Sequence, residues 1–172
     1  MSRRAYDYSG NDNYSRDFDF DQNMDLDSRK RPSNDRRNMD KKSNTSTCQQ
    51  LADIIGGEVI TAAPACVVQR LRNIDGTILG RRTRSPLALP FALSFENNID
   101  GRTLNLGETV ILQKEINPFL TALRKRGIIV TAFHNHWLFE NLRLMYMHWE
   151  NVGDPFKFAR NSFEAAREVG LI

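Results

Sequence analysis

The stretch ETVILQKEINPFLTALRKRGIIVTAFHNHWLFENLRLMYMHWE, residues 108–150, changes its hydrophobic rhythm as it runs. ETVILQKE, IIVTAFHNHWL and LRLMYMHWE are rich in β-branched, aromatic and other apolar residues and read as strands. Between the first two, Asn117 can cap a helix whose first residue is Pro118, where the missing N–H costs nothing. Phe119, Leu120, Ala122 and Leu123 supply its apolar side and Gly127 follows its end. Arg124, Lys125 and Arg126 fall where a helix dipole favours cations, so a structural reading accounts for that basic run. A short turn around Glu140-Asn141 would join the last two strands as a hairpin. Just beyond, Asp154 can cap a second helix beginning at Pro155. Phe156, Ala159, Phe163 and Ala166 recur along its buried face, and Gly170 closes it.

Strand, helix, strand, strand, helix is an α+β order. It predicts a mostly antiparallel sheet with a βαββα C-terminal half and the helices packed on one face. If the helix from Asn117 to Gly127 crosses over between its flanking strands, those strands run parallel, as in a split βαβ unit. Upstream, Ser46 followed by Gln49 fits a capping box, and CQQLADIIGG reads as a short helix closed by Gly56-Gly57. EVITAA and ACVVQRLR read as strands around a kink at Pro64, and LALPFALSFE as another, with ENNIDG and NLG as turn signals.

Residues 1–46 carry ten Lys or Arg and nine Asp, no Val or Ile, and Leu26 as their one leucine. Such a segment cannot bury enough apolar area to offset the entropy of ordering it, so a disordered polar tail is expected there and a folded domain over 47–172. Within the tail, FDFDQNMDLD mixes acidic and apolar residues and could seed a partner contact.

A net charge of +3 spread along 172 residues is too weak to indicate a nucleic-acid partner. GRRTRSP, residues 80–86, is a basic loop without interleaved stacking aromatics, which fits a solvated loop better than a phosphate or nucleic-acid contact. Two cysteines, Cys48 and Cys66, are too few for a disulfide framework. Cys66, inside the apolar run ACVV, is expected to be an inert buried thiol. Basic residues near the N-terminus lack an apolar run behind them, and no stretch approaches the roughly 18–20 apolar residues that span a bilayer. A reducing, cytoplasmic setting with no membrane span is therefore the expectation. No glycine-rich phosphate loop, nucleophile elbow or zincin helix motif occurs.

All three histidines lie within residues 131–150. His134 and His136, two apart in a strand, project from one face. A turn centred on residue 140 pairs His148 with Ala132, and one centred on 141 pairs it with His134; either way His148 joins them. A register one residue different sends it to the opposite face. Three imidazoles on one face suit a divalent ion, zinc foremost, and a catalytic site would keep a further position open for water. Glu108, Glu115 and Glu140 are the flanking carboxylates, and Glu115, ending a strand that could run parallel to 128–138, is the expected fourth ligand. The competing reading is a set of satisfied strand histidines amid core aromatics, with Phe133, Trp137, Tyr146, Trp149, Met145 and Met147 serving packing. The contiguous letters H-N-H are no sign of a nuclease, whose defining residues are spread along a ββα-metal motif.

Glu115 to Pro118, Leu123 to Ile128, Val130 to His136, Met147 to Trp149 and Gly153 to Pro155 form a specific series: Glu-x-Asn-Pro, Leu-Arg-x-x-Gly-Ile, Val-Thr-Ala-x-His-Asn-His, Met-His-Trp and Gly-Asp-Pro. In order and spacing this resembles the domain-of-unknown-function 1259 family, the LppY/LpqO-like proteins, with weaker likeness back to about residue 57. The resemblance implies a shared fold and a role for the His-Asn-His and Met-His-Trp strands, and no particular reaction. Many members look like longer, exported lipoproteins, whereas a single copy without an export signal is expected here. Two functions follow. One is a small ligand- or metal-binding domain using His134, His136, His148 and Glu115, with hydrolytic or lyase-type chemistry available to a metal with an open position. The other is a non-enzymatic interaction protein whose tail recruits a protein partner or enters an assembly.

Overall fold

Alternation of apolar and polar residues gives strand after strand two different faces, and the sheet they build is covered by helices on only one of them. The computed structural model describes residues 46–172. The expected disordered tail lies outside the described residues except for Ser46, which is already helical. Helix α1 spans 46–55, followed by β1 (Glu58–Thr61) and β2 (Cys66–Leu71). Next come the short β3 (Thr77–Ile78) and β4 (Arg81–Arg82), then β5 (Pro90–Ile99) and β6 (Arg102–Ile111). Helix α2 (Ile116–Lys125) leads to β7 (Ile129–Asn135), a two-residue β8 (Glu140–Asn141), β9 (Met145–Gly153) and α3 (Pro155–Glu168).

Six strands form one sheet in the order β1-β2-β5-β6-β9-β7. Every neighbouring pair is antiparallel. Because β6 and β7 both run against the intervening β9, they are parallel to each other and α2 joins them: the split βαβ arrangement of an α+β fold. A second, three-stranded sheet is ordered β4-β3-β8. The connection between β7 and β9 is therefore not the expected short turn, since its middle leaves the hairpin to pair with Thr77 and Ile78.

The main core lies between the large sheet and all three helices. Phe91, Leu93, Met147 and Trp149 of the sheet meet Leu51 and Ile55 of α1, Phe119 and Leu123 of α2, and Phe158 and Ala166 of α3. Trp149 is its centre. Its ring centroid lies 5.7 Å from Phe91 and 5.3 Å from Phe119, and its indole N–H donates to Ser162 Oγ at 2.9 Å. Gly107 explains a misread turn signal. Asn105-Leu106-Gly107 is strand, and a Cβ at Gly107 would lie 2.1 Å from the Trp149 indole, so glycine here permits close approach and makes no turn.

At the start of α2, a 3₁₀ turn (Gln113–Glu115) precedes the helix, and the Glu115 carboxylate accepts the Leu112 N–H at 2.8 Å. Asn117 is thus not the cap, and Pro118 sits within the first turn, where no N–H is required of it. The far end follows expectation, with Gly127 at φ 73°. So does α3: Asp154 accepts the Lys157 N–H at 2.6 Å and Pro155 opens the helix.

Cys48 and Cys66 form a disulfide that ties α1 to β2, correcting the expectation of an inert thiol at Cys66. Two cysteines make no framework, but one bridge closing a loop between helix and sheet needs only two. Such bonds persist in oxidising compartments, so the cysteine count no longer speaks for a reducing one. Among the described residues no helix is long and apolar enough to cross a membrane.

Candidate metal centre

A smaller core of Ile74, Leu89, Val110, Leu144 and Tyr146 covers part of the sheet face turned away from the helices. The rest of that face is open, and the histidines stand on it. A β-bulge puts them there. At its start β7 pairs Ile129 with Glu150 and Val130 with Trp149, a register that would set His134 against Met145 and aim it at the helix side. An irregularity between Val130 and Ala132 adds one residue, after which Ala132 faces His148 and His134 faces Tyr146. Val130 thereby still packs on the main core while His134 projects from the opposite face.

Ligand atoms of His134, His136 and His148 all lie within 4.8 Å of one another. The Nε2 atoms of His134 and His148 are 3.0 Å apart, and their rings are nearly parallel at 10°. Zinc–imidazole bonds of about 2.0–2.1 Å in a tetrahedron place ligand nitrogens about 3.3 Å apart. The His134–His148 pair, at hydrogen-bond distance, is a few tenths of an ångström closer than that, and His136 offers a ligand atom within 4.8 Å of both. His136 stacks on Tyr146 with centroids 3.6 Å apart and planes 3° from parallel. Tyr146 is a fixed wall: its hydroxyl accepts the Trp137 indole N–H at 2.7 Å and donates to Ala88 O at 2.8 Å.

Burial holds His136 below the ordinary imidazole pKa, and positive charge on His134 and His148 adds to that against the pull of Glu108. The neutral imidazole is the form that binds a metal. Burial also raises the Tyr146 hydroxyl, which keeps it a neutral hydrogen-bonding group.

Of the three flanking carboxylates, the fold selects Glu108. It faces His148 across β6 and β9, and its Oε2 lies 3.8 Å from His148 Nδ1, the ring nitrogen turned away from His134. A carboxylate hydrogen-bonded to the outer nitrogen of a histidine is the usual support around a bound metal, and Glu108 lies within ion-pair range of that nitrogen though beyond hydrogen-bond distance.

Glu115, expected among the ligands, is employed elsewhere and is not part of the histidine group. Its two oxygens take a bidentate pair of hydrogen bonds from Arg72 at 2.9 and 3.0 Å. Arg72 is buried and also donates to Val110 O and Leu171 O. Burial alone would raise the Glu115 pKa, but the Arg72 and Leu112 hydrogen bonds and the neighbouring positive charges outweigh it and hold the carboxyl below its ordinary value. Strand β6 ends at Ile111, so Glu115 lies beyond the alternation that brings Glu108 onto the histidine face. Tyr146 could have been found from sequence, since two residues before His148 in a strand means the same face. Its partner Ala88 could not.

The aromatics divide. Tyr146 and Trp149 are buried, as is Met147 between them, and Phe133 is half exposed. The stretch GRRTRSP, expected as a loop, is mostly exposed but includes β4, with Arg82 and Arg84 paired to Asp75. A separate cavity of about 210 Å³ beside the disulfide contains no histidine.

A family model described as Domain of Unknown Function (DUF1259) matches residues 49–168. No curated protein and no solved structure matches the chain.

Proposed function

We propose that this chain, which belongs to the family Domain of Unknown Function (DUF1259), binds a divalent metal ion on the open face of its sheet through His134, His136 and His148. The convergence of three imidazoles on that face carries the reading. Three nitrogen ligands with a carboxylate behind one of them suit zinc, the common first-row ion that accepts a tetrahedral imidazole set without a redox change. In this reading Glu115 stays with Arg72 and the three imidazoles are the protein ligands, which would leave a tetrahedral ion one further position. Such a position admits water or a ligand oxygen, and a zinc ion there would act as a Lewis acid.

Elemental analysis of the protein purified without chelators tests this. A stoichiometric amount of zinc or a related ion is expected, strongly reduced in His134→Ala and His148→Ala, with a metal-dependent rise in melting temperature in wild type alone. Background metal together with a melting temperature indifferent to added zinc would refute it.

A further inference from the structure

Two shallow depressions, of about 340 and 290 Å³, adjoin the histidines. They share Ala92 and Glu108; one ends at His136 and Trp137, the other at His148. Ala92 sits mid-sheet on β5, between Gln69 of β2 and Glu108 of β6, so the two depressions meet on the open face. We infer that this groove binds an uncharged ligand with an apolar body, which directs an oxygen donor to the metal position. The inference rests on the metal reading and goes beyond it by naming the ligand class.

Charge decides against an anionic ligand body. Apart from the histidines, the one ionisable side chain lining either depression is Glu108, and no lysine or arginine lines them. A phosphate or carboxylate lying along the groove, away from the metal position, would lose hydration with no lysine or arginine to replace it and would face the Glu108 carboxylate. The surroundings favour an apolar body: Val67 and Leu106 at one end, Pro86, Leu87 and Pro90 at the other. Leu87 is 74% exposed on that wall, so an occupant would cover apolar surface that water now meets. Trp137 closes the histidine end with its indole N–H already given to Tyr146, which leaves only its ring surface for contact. The volumes match the lower end of small-molecule sites, about 300 Å³.

Straight-chain alkyl hydroxamic acids test the groove on the zinc-loaded full-length chain: the head group would release its proton to the buffer and ligate zinc through its oxygens, while the uncharged alkyl tail can be lengthened. Calorimetry should show affinity rising about three- to fourfold with each added methylene until the groove is filled. A terminal carboxylate on the longest tail should weaken binding about tenfold or more. Ala92→Phe, which fills the junction, should abolish the chain-length gain while keeping zinc and acetohydroxamic acid binding. Leu87→Ser, at an exposed position, should reduce the gain without affecting folding. If zinc binds but affinity is flat with tail length, if no hydroxamate binds, or if the carboxylate tail binds as well as the neutral one, the groove is not the ligand site. Failure to take up zinc at all, seen before any hydroxamate is added, would instead overturn the metal reading on which it rests.

Discussion

Glu108→Gln separates a metal centre from three histidines that merely share a sheet face. The Glu108 carboxylate lies 3.8 Å from His148 Nδ1, with side-chain exposures of 38% and 29%. Unit charges about 4 Å apart interact by about 1 kcal/mol in water and about 4 kcal/mol at an effective dielectric of 20, and partial exposure places this pair toward the lower figure. Loss of such a partner typically weakens metal binding about ten- to hundredfold, or about 1.4–2.7 kcal/mol. Glutamine keeps the size and the acceptor oxygen, so the substitution removes mainly charge. Thermal melts at increasing zinc concentration provide the assay. At zinc one hundred times the wild-type Kd, wild type should gain about 2.7 kcal/mol, the variant only about 0.4–1.4 kcal/mol. For a domain of this length the wild-type shift is on the order of 10 °C, and the variant should show half of it or less. Without zinc the two should melt within about 0.5 kcal/mol of each other. Identical zinc-induced shifts at every concentration would refute the idea that Glu108 supports a metal-bound His148.

Glu115→Gln should cost roughly 3–5 kcal/mol at pH 7 by stranding the buried Arg72 charge, yet leave zinc stoichiometry unchanged; lost zinc binding in a folded variant would return Glu115 to the site. Because the folded-state pKa of Glu115 is lowered, its contribution is present above the unfolded value near 4.5 and lost as pH falls through the folded one. Denaturant titrations should therefore show the gap between wild type and Glu115→Gln narrowing below that pH. Gly107→Ala should destabilise by roughly 3 kcal/mol or more, because the new methyl group overlaps the Trp149 indole; a neutral effect in chemical denaturation would contradict the packing described. Replacing both Cys48 and Cys66 by serine, across a sequence separation of 18, should lower stability by about 3 kcal/mol. Wild type should respond to reductant in the same melts, whereas the double variant should not.

Local chemistry made several features legible before any fold was known. Asp154 and Pro155 start α3 and Gly127 follows α2 because caps and left-handed positions depend on a few adjacent residues. His134 and His136 lie on the same side, their ring centroids 4.8 Å apart, although β7 ends at Asn135 and His136 stands just beyond it. Non-local packing decided the rest. The extra residue between Val130 and Ala132 sets which face receives the histidines, and the insertion of β9 between β6 and β7 brings Glu108 beside His148. Asn105-Leu106-Gly107 read as a turn because glycine signals freedom locally, whereas here it marks the space taken by a tryptophan 42 positions later. Glu115 is favoured in the sequence because it ends a strand that could run parallel to 128–138, but in the fold it pairs with Arg72, and Glu108 is the carboxylate beside His148. Alternation along a strand carries no record of its neighbour, its register or a rival partner for a charge. Those are settled by the summed packing of distant segments: residue order was enough to give the three histidines their spacing, and it took the folded sheet to choose the face they share and the carboxylate beside them.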